Sequence, residues 1–113
     1  MKTDAVWVRW GIRRDLPQVL AIEQETFGRV KGAKFDRWMD RHDTVLMVAE
    51  SEAVFGGPDS PLLGFAFYRL KDGDGTMIVL DMAALAPAAR AVLVAKLYRK
   101  AAEHRRVLGW REC

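Results

Sequence analysis

The sequence has very little cysteine and no long hydrophobic run. Its single cysteine, Cys113, is the last of 113 residues, which excludes an internal disulfide and a cysteine-rich metal site. No apolar run approaches the roughly 20 residues that a membrane-spanning helix needs. The N-terminal segment MKTDAVWVRW lacks the continuous apolar stretch of a secretory signal. These absences predict a cytoplasmic protein with no membrane segment.

Histidine is also scarce, and glycine is missing from one long segment. His42 and His104 lie at no metal-ligand spacing from each other or from a cysteine, so we expect no metal site. The segment VLDMAALAPAARAVLVAKLYRKAAEHRR (Val79 to Arg106) contains no glycine. Its pattern predicts a strand, a turn at Pro87 and an amphipathic helix, which is a layout that often binds phosphate. Without glycine, the main chain of such a turn cannot easily approach a phosphate.

The charge is mildly basic and the composition is that of one soluble domain. The net charge is +3, half of the residues are hydrophobic and 29% are charged. Basic residues concentrate late in the chain, at Lys96, Arg99, Lys100, His104, Arg105 and Arg106. We interpret them as the solvated face of an amphipathic helix and do not expect nucleic acid as a partner. The alternative is a nucleic-acid-binding helix, which would be retained on heparin in a salt-dependent way.

The first third of the chain predicts a strand followed by a helix. Alternating Val and Trp residues indicate a strand over Ala5 to Arg9. The segment RRDLPQVLAIEQETFG then carries helix signals, with Asp15 as N-cap, Gln18 at the partner position of a capping box and Gly28 as the stop. The apolar residues at helical spacing, expected to form its buried face, are Leu16, Val19, Leu20 and Phe27.

The remaining elements predict an α/β (α+β) fold with a mixed, mostly antiparallel central sheet flanked by helices. Gly64 is expected at a bulge or a close backbone approach, and KDGDGT at a hairpin turn. The last strand should be a sheet edge, parallel to its predecessor. The predicted elements are a helix over Ala33 to His42, strands over Thr44 to Ser51, Leu62 to Leu70 and Thr76 to Leu85, a helix over Ala88 to Arg106 and a final strand in VLGWREC.

The ordered set of these segments resembles the GNAT N-acetyltransferase superfamily, in particular the branch of the ribosomal-protein alanine N-acetyltransferases. VRWGIRRDLPQVLAIEQETF is similar to that branch's first strand and helix, and VLMVAES and LLGFAFYRL to its second and third strands. VLDMAALAP resembles the fourth strand, and LVAKLYRKAAEHRR the helix that follows it. The likeness extends over nearly the whole chain, from about residue 6 to 112, so we expect a single GNAT-like domain over residues 1–113 that lacks the usual last helix and strands.

This resemblance implies acetyl-CoA as cofactor. In the family it lies along the fourth strand, with its pyrophosphate on a loop of form [RQ]-x-x-G-x-[GA] at the start of the next helix. The residues that the resemblance assigns to cofactor binding are Met82, Ala83, Ala84, Leu85, Arg90 and Ala91. Two alignments of the loop remain open. An ungapped match places Leu93 at the first glycine and Ala95 at the second permissive position, and a gapped match deletes about four loop residues. The alternative to a phosphate-binding loop is a plain connection that starts at Pro87, with Leu93, Leu97 and Ala101 in the core.

The sequence departs from the family pattern at the catalytic positions. Gly109 lies where the branch has the glutamate that deprotonates the attacking amine. Glu112 falls on the opposite face of that strand by alternation. The sequence also lacks the helix that, in the family, carries the tyrosine that protonates the leaving thiolate. Asp81 is another carboxylate that could face the cleft. No residue is therefore assigned as catalytic.

Two functions follow from this pattern. The first is acetyl transfer from acetyl-CoA to a peptide or small amine, with weak or absent activity. The second is a non-catalytic binding or assembly module on the same scaffold, self-associating as a homodimer through its C-terminal strands or an exposed sheet face. Binding of acetyl-CoA would distinguish the first, and the mass in solution the second.

Overall fold

The protein folds around one five-stranded sheet with helices on both faces. The structure, a computed structural model, describes residues 6–28, 32–51, 61–71, 73 and 75–109. The strands are β1 (Val6–Trp10), β2 (Thr44–Ser51), β3 (Leu62–Lys71), β4 (Thr76–Ala84) and β5 (Arg106–Leu108), and the helices are α1 (Leu16–Phe27), α2 (Gly32–Asp40) and α3 (Pro87–Ala101). The strand order is β1-β2-β3-β4-β5. Neighbours are antiparallel except β4 and β5, which are parallel. The predicted fold class is confirmed.

The two faces of the sheet pack against different helices. On one face, α1 and α2 cover side chains such as Val48, Phe65 and Phe67, and Phe35 of α2 lies 4.9 Å from the ring centre of Phe67. On the other face, α3 covers Met77 and Tyr68 through Leu93 and Leu97, which are fully buried. The central strands β2 and β3 are buried on both sides over most of their length.

The start of α1 differs from the sequence prediction. The capping box of Asp15 and Gln18 is wrong, because the Asp15 side chain makes no cap hydrogen bond to α1. It accepts a hydrogen bond from the Ile12 N–H at 2.8 Å, across the 3₁₀ turn Arg13–Asp15. Gln18 instead accepts a hydrogen bond from the Leu62 N–H of β3 at 2.9 Å. Tertiary partners thus replaced the local partners that the spacing suggested.

The end of α1 follows the prediction in one respect and departs from it in another. Gly28 ends the helix at φ +68°, in the left-handed region that glycine tolerates. Phe27 is 40% exposed, however, and is not part of the buried face. Ile22 and Glu23 are buried instead. Phe27 is the last residue of α1, beyond the turns that pack against β3 and β4.

A bulge and a close backbone approach lie side by side in the middle of the sheet. Opposite Ala49 and Glu50 of β2, β3 has one extra residue, Leu63, next to Gly64. A Cβ atom on Gly64 would lie 2.9 Å from the Ala83 carbonyl oxygen and 2.9 Å from Leu93 Cδ1. The expectation of a bulge and a close approach at Gly64 is confirmed.

The predicted end of the last helix is wrong. α3 ends at Ala101, not at Arg106. The N–H groups of Arg105 and Arg106 both donate to the Gly75 carbonyl, at 2.8 and 3.3 Å, and this pairing begins β5 beside β4. His104 Nδ1 lies 2.9 Å from the Lys100 carbonyl oxygen near the helix end. The late basic residues therefore lie on a helix, a turn and a strand rather than on one helical face.

Candidate cofactor site

The fourth strand has an open edge beyond its first three residues. β4 pairs with β5 only over Thr76 to Ile78. Gly109 follows β5 at φ +73°, and a Cβ atom there would clash with the Val79 carbonyl oxygen. From Val79 to Ala84, the described residues provide β4 with a strand partner on the β3 side alone. The sheet therefore opens into a cleft beside the second half of β4.

A second bulge changes which backbone groups of β4 face this cleft. Phe67 lies opposite Asp81 and Tyr68 opposite Val79, so Leu80 is the extra residue. The Leu85 N–H donates to the Leu63 carbonyl at 2.7 Å, which fixes the alternation at the far end of the strand.

Because backbone groups point alternately to the two sides of an antiparallel strand, Ala83 and Asp81 direct theirs toward β3. Met82 and Ala84 direct their N–H and C=O groups toward the open edge.

Two residues, Leu85 and Ala86, join β4 to α3. Ala86 is the N-cap, extended at φ −138° and ψ 145°, and Pro87 opens the helix. The Arg90 N–H donates to the Ala86 carbonyl at 3.1 Å. The N–H groups of Ala88 and Ala89 precede this first helical bond, so they are donors that the helix itself does not use. With the helix dipole, they make this end weakly positive.

A pocket of about 390 Å³ lies at this helix end. Its lining is mostly apolar and contains one cation; the residues are Ala84, Leu85, Ala86, Pro87, Arg90 and Ala91. The Arg90 Nη2 atom is buried and has no hydrogen-bond partner in the described part of the chain. A buried guanidinium nitrogen normally donates a hydrogen bond, and Arg90 is the residue that brings positive charge to this pocket.

The structure brings most of the sequence-predicted cofactor residues to this one place. Ala84, Leu85, Arg90 and Ala91 line the pocket, and Met82 lies on the open edge that leads to it. Ala83 belongs to the same stretch, but its side chain is buried in the core on the α1 face.

The structure also decides between a phosphate-binding loop and a plain connection. Leu93, which the ungapped match placed at a phosphate-binding glycine, is fully buried against the sheet. Leu97 is buried with it, and Ala101 packs against the same cluster. The plain connection at Pro87 describes the chain, because β4 passes into α3 through the two residues Leu85 and Ala86.

Asp81, the carboxylate of β4 that the sequence offered as a candidate, lies beside the open edge. Its Oδ1 atom accepts a hydrogen bond from the Met82 N–H at 3.0 Å. Since the Met82 N–H points toward the open edge, in the plane of the sheet and away from β3, this carboxylate oxygen lies at the mouth of the cleft. Gly109, at the family's base position, contributes only backbone against Val79.

A buried charge cluster on β1 was missed from the sequence. Arg9 donates to both carboxylate oxygens of Asp15, at 2.9 and 3.0 Å, and to Glu50 at 3.3 Å. Burial acts to raise the pKa of Asp15, but the hydrogen bonds from Arg9 and from the Ile12 N–H outweigh it, so this pKa lies below its ordinary value. Asp15 and Glu50 are 4% and 2% exposed. A lone arginine within the apolar strand VWVRW was the one signal for this cluster.

The described residues contain neither a metal-binding cluster nor a membrane-spanning helix. Within the described ranges, no three His, Cys, Asp or Glu side chains lie close enough together to hold a metal ion. None of the helices that the structure describes is long and apolar enough to cross a membrane.

Solved structures with the same fold include three instructive proteins. NAA60 of Arabidopsis thaliana in complex with acetyl-CoA is 15% identical, with 91% of this chain and 73% of that chain covered and a TM-score of 0.65. A ribosomal-protein-alanine N-acetyltransferase of Brucella melitensis is 16% identical. The match covers 92% of this chain and 79% of that chain, with a TM-score of 0.63. A transcriptional regulator of Bacillus halodurans is 14% identical. Here the match covers 95% of this chain and 82% of that chain, with a TM-score of 0.69. At these identities the likeness concerns the fold.

The sequence itself matches a family profile over most of its length. No curated protein matches it significantly. The profile described as "Acetyltransferase (GNAT) domain" matches residues 32–112, which is more than half of the chain and includes β2 to β5. The chain therefore belongs to the GNAT acetyltransferase family.

Proposed function

We propose that this protein binds acetyl-CoA along the open edge of β4 and transfers its acetyl group to an amine weakly or not at all. The observation that carries the binding proposal is the continuity of three features. The outward backbone groups of Met82 and Ala84 lead to the pocket of about 390 Å³, which Arg90 lines, and the unused N–H groups of Ala88 and Ala89 lie at the start of the same helix. An extended amide chain that ends in phosphates needs such a series of donors.

The residues fit the two ends of the cofactor unequally. The strand edge fits the pantetheine arm, because amide groups can pair with a strand edge by main-chain hydrogen bonds. The N–H groups of Ala88 and Ala89 and the Arg90 guanidinium fit the pyrophosphate. The fit lacks a glycine loop that would wrap the phosphates, and the two-residue connection at Leu85 and Ala86 offers none. We therefore expect weaker binding than a complete phosphate loop gives.

When bound, acetyl-CoA supplies an activated acetyl thioester. Acceptance of that acetyl group requires an amine that has lost its proton. Among the described residues, no carboxylate occupies the position of the family's base, because Gly109 lies there with its backbone against Val79. The proposed acceptor is an amine of a peptide or small molecule, as suggested by the alanine N-acetyltransferase with the same fold. Weak or absent turnover follows from the missing base.

Calorimetric titration of acetyl-CoA into the wild type and an Arg90→Ala variant tests this proposal. Loss of a charged donor to phosphate should weaken binding by about tenfold or more. The matched control is Arg99→Ala, which removes an exposed arginine of the same helix away from the pocket and should leave binding unchanged. The absence of binding to the folded wild type at millimolar acetyl-CoA would contradict the proposal, and so would equal binding by Arg90→Ala.

Self-association is a second candidate function, and an observation at β1 favours it. Trp7 and Trp10 are 48% and 63% exposed, and they lie on opposite faces of this edge strand. Ile12, just beyond the strand, is 47% exposed. An edge strand with exposed tryptophans is suited to pairing with another strand. The described part of the C-terminal edge is the three-residue β5, so β1 is the surface on which we place this homodimer.

A further inference from the structure

The Asp81 carboxylate lies on the part of β4 where the proposed cofactor would bind. Of the backbone groups that β4 directs toward the cleft, the Met82 N–H is the donor nearest to the bulge at Leu80. Asp81 Oδ1 accepts this hydrogen bond at 3.0 Å. The contact is local, between neighbouring residues, and it satisfies an edge donor that a partner strand satisfies elsewhere in the sheet.

We infer that Asp81 is an intramolecular competitor for the open edge of β4 and lowers the affinity of this edge for an acyl-thioester ligand. This inference rests on the proposed function. Two physical effects act in the same direction. The carboxylate already accepts the hydrogen bond of the Met82 N–H, which a ligand carbonyl would need. Its negative charge also lies beside the path of a ligand that carries phosphates.

The bulge explains why a side chain of β4 can reach the edge of its own strand. In a regular strand, side chains stand above and below the sheet while the backbone groups lie in its plane. The extra residue Leu80 twists the chain immediately before Asp81 and Met82. The Asp81 carboxylate then reaches the in-plane N–H of the next residue.

Asp81 also keeps its place in the sheet through its backbone. Its own backbone pairs with Phe67 of β3, in register, and does not depend on the side chain. The side chain is half-buried rather than part of the core clusters. Replacement of the carboxylate should therefore change the edge more than it changes the fold.

Two variants separate the hydrogen bond from the charge. Asp81→Ala removes both, whereas Asp81→Asn removes the charge and keeps an oxygen that can accept from the Met82 N–H. We expect acetyl-CoA to bind Asp81→Ala about fivefold to tenfold more tightly than the wild type, with Asp81→Asn in between. Glu25→Gln, which neutralises an exposed carboxylate of α1, is the matched control and should bind like the wild type.

Calorimetry with acetyl-CoA and amide exchange measured by NMR give the two readouts. The Met82 amide should exchange faster in Asp81→Ala, and the Ala84 amide should not. Tighter binding by Asp81→Ala than by the wild type supports the inference. Equal or weaker binding by a folded Asp81→Ala overturns the inference alone, because the wild type then still binds. Absence of binding by all variants overturns the proposed function and this inference with it.

Discussion

At the scale of single residues, one charged cluster is more consequential than its sequence suggests. Arg9 is 28% exposed at its side chain and joins two carboxylates that are almost fully buried, Asp15 and Glu50. It ties β1 to the turn before α1 and to β2. Buried charges of this kind are stable together and costly when one partner is removed. The sequence showed Asp15 as a helix cap, because local spacing cannot reveal a partner on a neighbouring strand.

We predict that Asp15→Asn lowers the free energy of unfolding by about 2 kcal/mol at pH 7, since it leaves Arg9 with weaker partners. The folded state lowers the pKa of Asp15 below its ordinary 3.8. The stabilisation is therefore fully present above pH 3.8 and is lost as the pH falls through the lower folded value. Urea unfolding of both proteins from pH 7 downward measures it, and the difference between them should shrink below pH 3.8.

Asp36→Asn is the control for this prediction. Asp36 pairs with Arg13, and both side chains are more than half exposed. Such surface pairs contribute about 1 kcal/mol or less, so this variant should unfold much like the wild type. A difference between wild type and Asp15→Asn that stays constant down to pH 2 would contradict a lowered pKa.

At the scale of elements, the strands were easier to predict than the ends of helices. β2 matched its predicted bounds because its apolar run is flanked by polar residues, and Gly64 was recognised as a close contact. The end of α3 could not be predicted, because Arg105 and Arg106 leave the helix to pair with Gly75, a partner distant in sequence. For the candidate site, the sequence identified the strand and helix. The open edge depends on where β5 stops pairing with β4, and the Asp81 contact lies beside a bulge that no local pattern indicates.

We predict that Gly64→Ala destabilises the protein by about 1–3 kcal/mol, because its Cβ atom would press on the Ala83 carbonyl and on Leu93. β3, β4 and α3 meet at this point, so the strain falls on three elements at once. Thermal or urea unfolding gives the measurement.

The comparison is Gly32→Ala, at the first residue of α2, where a Cβ atom would meet only Leu20 Cδ1 at 3.9 Å. Alanine is the better helix former by up to about 1 kcal/mol, so this variant should be equally or more stable than the wild type. Similar stability of Gly64→Ala and the wild type would show that the contact relaxes at little cost.

At the scale of the whole molecule, the described sheet has an edge with exposed tryptophans at β1 and a short edge at β5. Antiparallel pairing of β1 with a second copy about a two-fold axis would cover Trp7 and Trp10 in both chains. The fold class and the family followed from the ordered pattern of segments. The exposure of Trp7 and Trp10 could not be predicted in that way, because it depends on which strand lies at the edge.

We predict that light scattering detects an increase from the mass of one chain toward that of two as concentration rises. Trp10→Lys, which places a charge on the β1 edge, should abolish the increase. Tyr98→Lys on α3, where the tyrosine is 52% exposed, is the control and should associate like the wild type. A wild type that remains at the mass of one chain at high concentration would refute self-association through β1.

The short joint between β4 and α3 has a consequence for redesign. Leu85 and Ala86 are the whole connection, and the helix behind it is anchored by Leu93 and Leu97. Lengthening the chain at this joint would leave strand register and helix packing untouched, since surface insertions cost little loop entropy. A few glycine-containing residues grafted there would show whether phosphate affinity in this protein is limited by the length of one turn.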